Sequence, residues 1–229
     1  MSAWLVHAFT ATGAVLAYLA IESIVGGFVR EAFIYLALAT AVDSVDGALA
    51  RLARVKERTP QFDGALLDNI IDYLTFVLVP VFALRQQHLL PDGTPGLAIA
   101  SAVLLSSAYG FCRLDAKTED HFFTGFPSYW NIVALYMVAL GTAPATNAAV
   151  LLVFVALVFV PIGYIYPSRT ARWQTPTIVL GLAWAVAMTV VIWTLPSPPR
   201  WLVWGSFVYP VYYGLLSVYL HRQRTARRG

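Results

Sequence analysis

Long hydrophobic runs recur along the whole chain and are interrupted only by short polar connections, such as Pro91-Asp-Gly-Thr-Pro95. A run of about 20 apolar residues is long enough for a helix to cross a bilayer. Because backbone groups within lipid must be paired inside the segment, such runs predict helices rather than a barrel. The pattern predicts eight spans, at about 4–28, 31–53, 63–87, 96–114, 127–142, 146–166, 174–195 and 200–220.

Composition supports the same fold class. The 229 residues are 59% hydrophobic and 12% charged, whereas about 25% of the residues of a soluble domain are charged. We therefore expect an all-α, polytopic integral membrane protein, with residues 1–229 forming a single transmembrane catalytic domain. The one cysteine, Cys112, excludes an internal disulfide.

Charge asymmetry orients the predicted spans. If the loops alternate between the two sides, 12 of the 15 Lys and Arg residues fall on the side of both termini, and only Arg30, Arg85 and Arg200 fall on the other. The positive-inside rule then predicts a multi-pass protein of the bacterial inner (cytoplasmic) membrane with both termini cytoplasmic. The basic residues form a rim suited to anionic membrane lipids, so the basic pI of about 9.1 does not predict nucleic-acid binding.

Four aspartates lie at the cytoplasmic ends of the second and third spans: Asp43, Asp46, Asp68 and Asp72. Ionised carboxylates at a membrane are costly unless they are paired or bind a cation. The spacings of three and four residues place each pair on one helix face, and the two helices run antiparallel, so the carboxylates can converge. A rim of solvated charges is the alternative, but it does not explain the shared faces.

The residues around these aspartates suit a metal-bound phosphate ligand. Carboxylate oxygens are preferred by Mg²⁺ and Mn²⁺, and four carboxylates can hold two such ions. Gly47, Ala50 and Gly64 leave the same faces clear for a backbone or a nucleotide to approach. Arg51 can bind a phosphate in a bidentate manner. The active site is therefore predicted on the cytoplasmic side.

The pattern Asp43-x-x-Asp-Gly-x-x-Ala-Arg51, followed by Gly64-x-x-x-Asp-x-x-x-Asp72, resembles the signature of the CDP-alcohol phosphotransferases. The resemblance implies a helical membrane bundle that transfers a substituted phosphate from a CDP-linked donor to an alcohol. It implies that the four aspartates bind the metal ions, that Asp72 also acts as the general base, and that Gly47, Ala50, Arg51 and Gly64 bind CDP. It also implies a homodimer, although the sequence indicates no interface.

Twelve residues, 52–63, separate Arg51 from Gly64, which is a longer spacer than most members have. This spacer, the number of spans and the stretch 121–131 resemble the bacterial phosphatidylcholine synthase branch. The branch resemblance implies CDP-diacylglycerol and choline as substrates and CMP as product. Serine, glycerol 3-phosphate or inositol phosphate as the acceptor is the alternative within the family. A cation-coupled transporter is a further alternative, disfavoured because transporter sites usually lie near the midplane on broken helices.

Choline is a quaternary ammonium ion, which proteins bind with aromatic faces and carboxylates. The region around the loop after the fourth span supplies both kinds of group. The predicted choline-binding residues are Tyr109, Glu119, Asp120, Phe122, Phe123, Phe126, Tyr129 and Trp130. An aromatic belt at the membrane interface would give the same composition. His7 and Thr10, near the start of the first span, are further predicted nucleotide contacts, whereas Glu22 lies towards the other membrane face with no assigned role.

Overall fold

A computed structural model of the protein describes residues 2–116, 118, 122–166 and 173–226. Its elements, in chain order, are helices α1 (Ala3–Val25), α2 (Val29–Leu52), α3 (Val55–Arg58) and α4 (Gly64–Asp72), a π-helical segment (Tyr73–Leu78), helices α5 (Val79–Gln86) and α6 (Gly93–Cys112), strand β1 (Phe122–Thr124), helices α7 (Trp130–Leu140) and α8 (Pro144–Phe159), strand β2 (Gly163–Ile165), and helices α9 (Gln174–Trp193), α10 (Arg200–Ser206) and α11 (Val208–Ala226).

The helices confirm the predicted fold class. Within the described ranges, α1, α2, the continuous helical element 64–86, α6 and α9 are long and apolar enough to cross a membrane, and α7 and α8 are shorter apolar helices. Two predicted spans differ in detail. The sixth ends as a helix at Phe159 and continues as non-helical chain, and the eighth is divided into α10 and α11 at Phe207.

A stripe of small residues on α1 brings the site-bearing helices together. Ala3, Gly13, Ala17 and Ala20 are all buried and follow helical spacing. Small side chains let helix backbones approach closely, as is common in membrane helix packing. At Gly13 the approach leaves no room for a side chain, because an added Cβ would clash with Cγ2 of Ile71 on α4. Helix α1 therefore contacts both α2 and α4.

The spacer between α2 and α4 is ordered. Its helix α3 begins after Arg54, which has a positive φ of 48°. Val55 of α3 is buried in a small cluster with Ala3 and Val6 of α1. At the end of the spacer, the side chain of Asp63 caps α4 by accepting 3.0 Å hydrogen bonds from the backbone N–H groups of residues 65 and 66. The spacer thus fixes where α4 begins.

The helix that carries Asp68 and Asp72 changes geometry directly after Asp72. Residues Tyr73–Leu78 are π-helical, and Pro80 follows within the first turn of α5. Proline has no N–H to donate and its ring crowds the carbonyl four residues earlier, so a wider turn before it relieves the clash. Such π-helical segments are frequent at functional sites.

The sequence did not predict the two short strands. Strands β1 and β2 pair in antiparallel orientation, with Phe122 opposite Ile165. Three side chains of α11 cover the other edge of β2: His221 Nδ1 accepts from the backbone N–H of Gly163 at 3.1 Å, Ser217 accepts from that of Ile165, and Tyr213 donates to the Ile165 carbonyl. This spacing of four residues places all three on one face of α11.

Candidate active site

Three of the four predicted carboxylates converge. Asp43 on α2 and Asp68 and Asp72 on α4 each offer a carboxylate oxygen, and these oxygens lie within 4.8 Å of one another. All three side chains are half-buried. The four-residue spacing on α4 aligns Asp68 with Asp72, and the contacts of α1 with both helices bring Asp43 against them. The predicted convergence is therefore present for these three residues.

The fourth aspartate, Asp46, faces α1. Its carboxylate accepts a 2.8 Å hydrogen bond from the hydroxyl of Thr10, and both side chains are buried. Asp46 lies three residues after Asp43, which rotates it by about 60° around the helix. Its role as a metal ligand stays a prediction, and Thr10 contacts the site through Asp46.

The donor set of the three converged carboxylates fits a hard divalent cation. At an effective dielectric constant of about 20, two charges separated by about 5 Å repel by about 3 kcal/mol, so three ionised carboxylates favour a bound cation. Ligands of Mg²⁺ lie about 2.1 Å from the ion and therefore at most about 4.2 Å apart. The observed separation within 4.8 Å needs only a small contraction to meet that limit.

The residues predicted to bind CDP lie beside this group at the ends of α2 and α4. Arg51 folds back towards Gly47, where a Cβ would lie 3.6 Å from Nη1 of the arginine. Gly47 and Arg51 are exposed, whereas Ala50 packs against the cluster formed by α1 and α3. Gly64 faces the ring of His7, which fills part of the space that a side chain at residue 64 would occupy.

The segment before α7 is attached to α2 close to Asp43. Asn131 donates a 3.2 Å hydrogen bond from Nδ2 to the hydroxyl of Thr40, three residues before Asp43. Tyr129, the residue directly before α7, interacts with the carboxylate of Asp43 and forms a hydrogen bond with Tyr213. Tyr129, one of the predicted choline-binding residues, thus lies beside the carboxylate of Asp43.

The sequence analysis missed several tyrosines beside Tyr129. Tyr213 of α11 lies 6.5 Å from Tyr129 between ring centroids and stacks on Tyr164 at 6.3 Å. Tyr209 lies 6.5 Å from Tyr213. Tyr209 and Tyr213 are four residues apart, a spacing that places them on one helix face. We call Tyr129, Tyr164, Tyr209 and Tyr213 the tyrosine cluster.

The remaining predicted choline-binding residues are dispersed. Phe126 and Trp130 are buried and pack against each other at 5.1 Å, and the indole N–H of Trp130 donates to Ser107. Phe123 packs on Tyr166, and Phe122 lies under the guanidinium of Arg224. Tyr109 packs on Phe159. Glu119 and Asp120 lie outside the described residues.

Arg113, at the end of α6, is paired with the carboxylate of Asp115. Its guanidinium donates to both carboxylate oxygens of Asp115, from Nε at 2.8 Å and from Nη2 at 2.6 Å. This pairing lowers the pKa of Asp115 below its usual range, although Asp115 is exposed. Arg113 also lies over the ring of Tyr109, with Cζ 5.6 Å from the centroid. The pair therefore joins the end of α6 to the loop that follows it.

Comparison with known proteins places the chain in a family. No protein-family model matches it. It is 37% identical to a phosphatidylcholine synthase of Pseudomonas aeruginosa over 195 residues, which cover 85% of this chain and 82% of the relative. It is 35% identical to that of Borreliella burgdorferi over 220 residues, which cover 95% and 94%.

A third relative, the phosphatidylcholine synthase of Legionella pneumophila, is 44% identical over 168 residues, which cover 73% of this chain. The matched regions span 66% of that protein and 61% of its Legionella bozemanae counterpart, so these two are matched over about two thirds of their length or less. The chain therefore belongs to the phosphatidylcholine synthase family.

Proposed function

We propose that this protein transfers the phosphatidyl group of CDP-diacylglycerol to choline, with release of CMP. The observation that carries the proposal is the convergence of Asp43, Asp68 and Asp72. Three half-buried carboxylates at the ends of membrane helices suit a site for a metal-bound diphosphate, and CDP-diacylglycerol presents such a group. Membership of the phosphatidylcholine synthase family supports choline as the acceptor.

In this mechanism Asp72 accepts the proton of the choline hydroxyl. The hydroxyl oxygen then forms a bond to the β-phosphorus of the donor, the bond from that phosphorus to the bridging oxygen breaks, and its electron pair leaves with CMP. The four aspartates, Asp43, Asp46, Asp68 and Asp72, would hold two Mg²⁺ or Mn²⁺ ions, which would neutralise charge on the diphosphate. Arg51 stabilises the same charge by donating hydrogen bonds to the phosphate oxygens.

The tyrosine cluster, adjacent to Asp43, provides the choline site in this proposal. A trimethylammonium group offers no N–H donor, so aromatic faces bind it better than hydrogen-bond acceptors do. Tyr129 links the cluster to Asp43, and Tyr164 and Tyr213 present stacked rings. Anionic acceptors such as glycerol 3-phosphate or inositol phosphate would instead require additional cationic side chains.

The proposal also includes the orientation of the protein in the membrane and its oligomeric state. The distribution of Lys and Arg supports both termini and the active site being on the cytoplasmic side of the bacterial inner membrane. Alkaline phosphatase fused after residue 226 should be inactive in this orientation and active in the reverse one. A homodimer stays a prediction of the family resemblance, and the mass of the protein in detergent measures it.

The acceptor is tested with purified protein and CDP-diacylglycerol. Choline, serine, glycerol 3-phosphate and inositol phosphate are supplied separately, and CMP and the lipid product are measured. The proposal predicts CMP release and phosphatidylcholine formation with choline, and little turnover with the other alcohols. Turnover with serine or an anionic acceptor but not with choline would favour another CDP-alcohol transferase. Cation uptake into vesicles without CMP release would favour a transporter.

A further inference from the structure

His7 is a buried residue of α1 to which the proposed mechanism assigns no step. Only 6% of its surface is exposed. Its Nε2 lies 3.0 Å from the hydroxyl of Thr59, which is itself buried in the spacer between α2 and α4. The ring also packs on Phe62 with centroids 4.3 Å apart, and on Trp4 at 5.8 Å. Two aromatic rings and one hydrogen bond therefore hold the imidazole in place.

The Thr59 hydroxyl has two partners. It donates to the carbonyl of Val55 at 3.0 Å, and in the tautomer with the proton on Nε2 the imidazole donates to the hydroxyl oxygen. Thr59 in turn belongs to the spacer that ends in the cap of α4. His7 thus contacts the segment that determines where Gly64 and Asp68 lie.

The other edge of the imidazole faces Gly64. A Cβ at residue 64 would lie 2.8 Å from Cε1 of His7 and 3.3 Å from Nδ1, which is closer than a carbon atom can approach without displacement of its neighbour. The imidazole cannot move aside freely, because Thr59 and Phe62 hold it. Gly64 is not among the glycines with positive φ, so its backbone does not itself require glycine.

We propose that His7 is a positioning residue: it fills the space that the missing side chain of Gly64 leaves and, through Thr59, fixes the start of the helix that carries Asp68 and Asp72. The glycine of the signature then makes room for the imidazole, in addition to its predicted place in the CDP site. This inference rests on the proposed function for its kinetic test, but the packing itself is independent of the reaction.

A double-mutant cycle tests the inference. His7→Ala, Gly64→Ala and the double variant are compared with the unmodified protein for CMP release from CDP-diacylglycerol and choline. Gly64→Ala should lower kcat by about tenfold or more when His7 is present, because a displaced helix misplaces the carboxylates. In the His7→Ala background the same change should cost several-fold less, because no imidazole remains to clash. An equal loss in both backgrounds would mean that the imidazole does not determine the cost of a side chain at residue 64, and would overturn the inference.

Two further variants separate positioning from general damage. Gly13→Ala creates a clash with Ile71 on the same pair of helices, and His7→Ala should not relieve it. His7→Gln keeps an N–H donor near Thr59. We therefore expect its kcat to lie close to that of the unmodified protein, and well above that of His7→Ala. In both His7 variants the KM for choline should stay within about twofold. A loss in His7→Gln equal to that in His7→Ala would contradict the proposal.

The Tm of the four proteins of the cycle in detergent, without substrate, gives an independent test. Gly64→Ala should lower Tm in the unmodified protein but not in the His7→Ala background. This result would support the packing even if choline transfer were not observed, so failure of the proposed function is distinguishable. A Tm loss for Gly64→Ala that is the same with and without His7 would overturn the inference. If His7→Ala does not fold, Thr59→Val replaces it, because it releases the imidazole and should reduce the cost of Gly64→Ala.

Discussion

The hydroxyl of Thr10 donates a 2.8 Å hydrogen bond to Oδ2 of Asp46, and both residues are buried where α1 meets α2. The carboxylate of Asp46 is therefore held by α1, whereas that of Asp43 lies with those of Asp68 and Asp72 on α4. Hydrogen bonds of this kind orient the carboxylates that bind metal ions and tune their affinity. The relationship makes Thr10 a residue that acts on the site through Asp46.

Thr10→Val removes this donor while keeping the volume of the side chain. If Asp46 binds a metal ion, the Mg²⁺ or Mn²⁺ concentration that gives half-maximal activity should rise about tenfold. Thr10→Ser keeps the hydroxyl and should shift it much less. The metal dependence of CMP release measures both variants. An unchanged metal dependence in Thr10→Val would contradict the assignment of Asp46 as a ligand.

Asp72→Asn should abolish turnover while the protein stays folded and still binds the donor, because an amide cannot accept the choline proton at neutral pH. CMP release, Tm in detergent and binding of CDP-diacylglycerol measure the three properties. Asp63→Asn is the matched control on the same helix. Asparagine is as good a cap as aspartate, so that variant should retain activity and Tm. Retained turnover in Asp72→Asn would contradict the role of Asp72 as base.

Tyr213→Leu should raise the KM for choline by roughly two- to thirtyfold, which corresponds to the loss of one cation–π contact. Tyr213→Phe keeps the aromatic face and should leave this KM almost unchanged, although it removes the hydrogen bond to the Ile165 carbonyl. Tyr18→Leu, on an exposed part of α1, is the control. Equal choline KM values in all three variants would place the choline site elsewhere.

The convergence of the carboxylates could largely be predicted from the sequence, because it depends on local helix geometry. The four-residue spacing of Asp68 and Asp72 fixes their common face regardless of the rest of the fold. The different direction of Asp46 was not predicted, because a three-residue spacing leaves an angular offset that only the positions of neighbouring helices resolve. Thr10 on α1 supplies that information, and it lies 36 residues away in the chain.

The aromatic region was predicted less well because it is built from segments distant in sequence. Tyr129 was a predicted residue, whereas Tyr213 joins it from α11 at a centroid distance of 6.5 Å. Strands β1 and β2 are three residues each, too short for an alternating pattern to identify. The hydrogen bonds between β2 and α11 bring Tyr164 to Tyr213, and no local pattern in the sequence encodes that contact.

Ser217→Ala should destabilise the protein by about 1–3 kcal/mol, because it removes the acceptor of a buried backbone N–H. Ser217 is fully buried and Ile165 is 1% exposed, so water does not readily replace the hydroxyl. Ser23→Ala, whose hydroxyl bonds only within its own helix, should change stability by less than about 0.5 kcal/mol. Tm in detergent compares the two, and an equal Tm would show that the hydrogen bond between Ser217 and Ile165 does not contribute to stability.

Metal removal tests the central claim most directly. Purified protein is treated with EDTA, supplied with CDP-diacylglycerol and choline, and then titrated with Mg²⁺ or Mn²⁺ while phosphatidylcholine formation is measured. We expect no product after chelation, recovery with either ion in the unmodified protein, and no recovery in Asp68→Asn, because Asp43, Asp68 and Asp72 would hold the metal. Undiminished phosphatidylcholine formation in the presence of EDTA would contradict a metal-dependent transfer at these carboxylates.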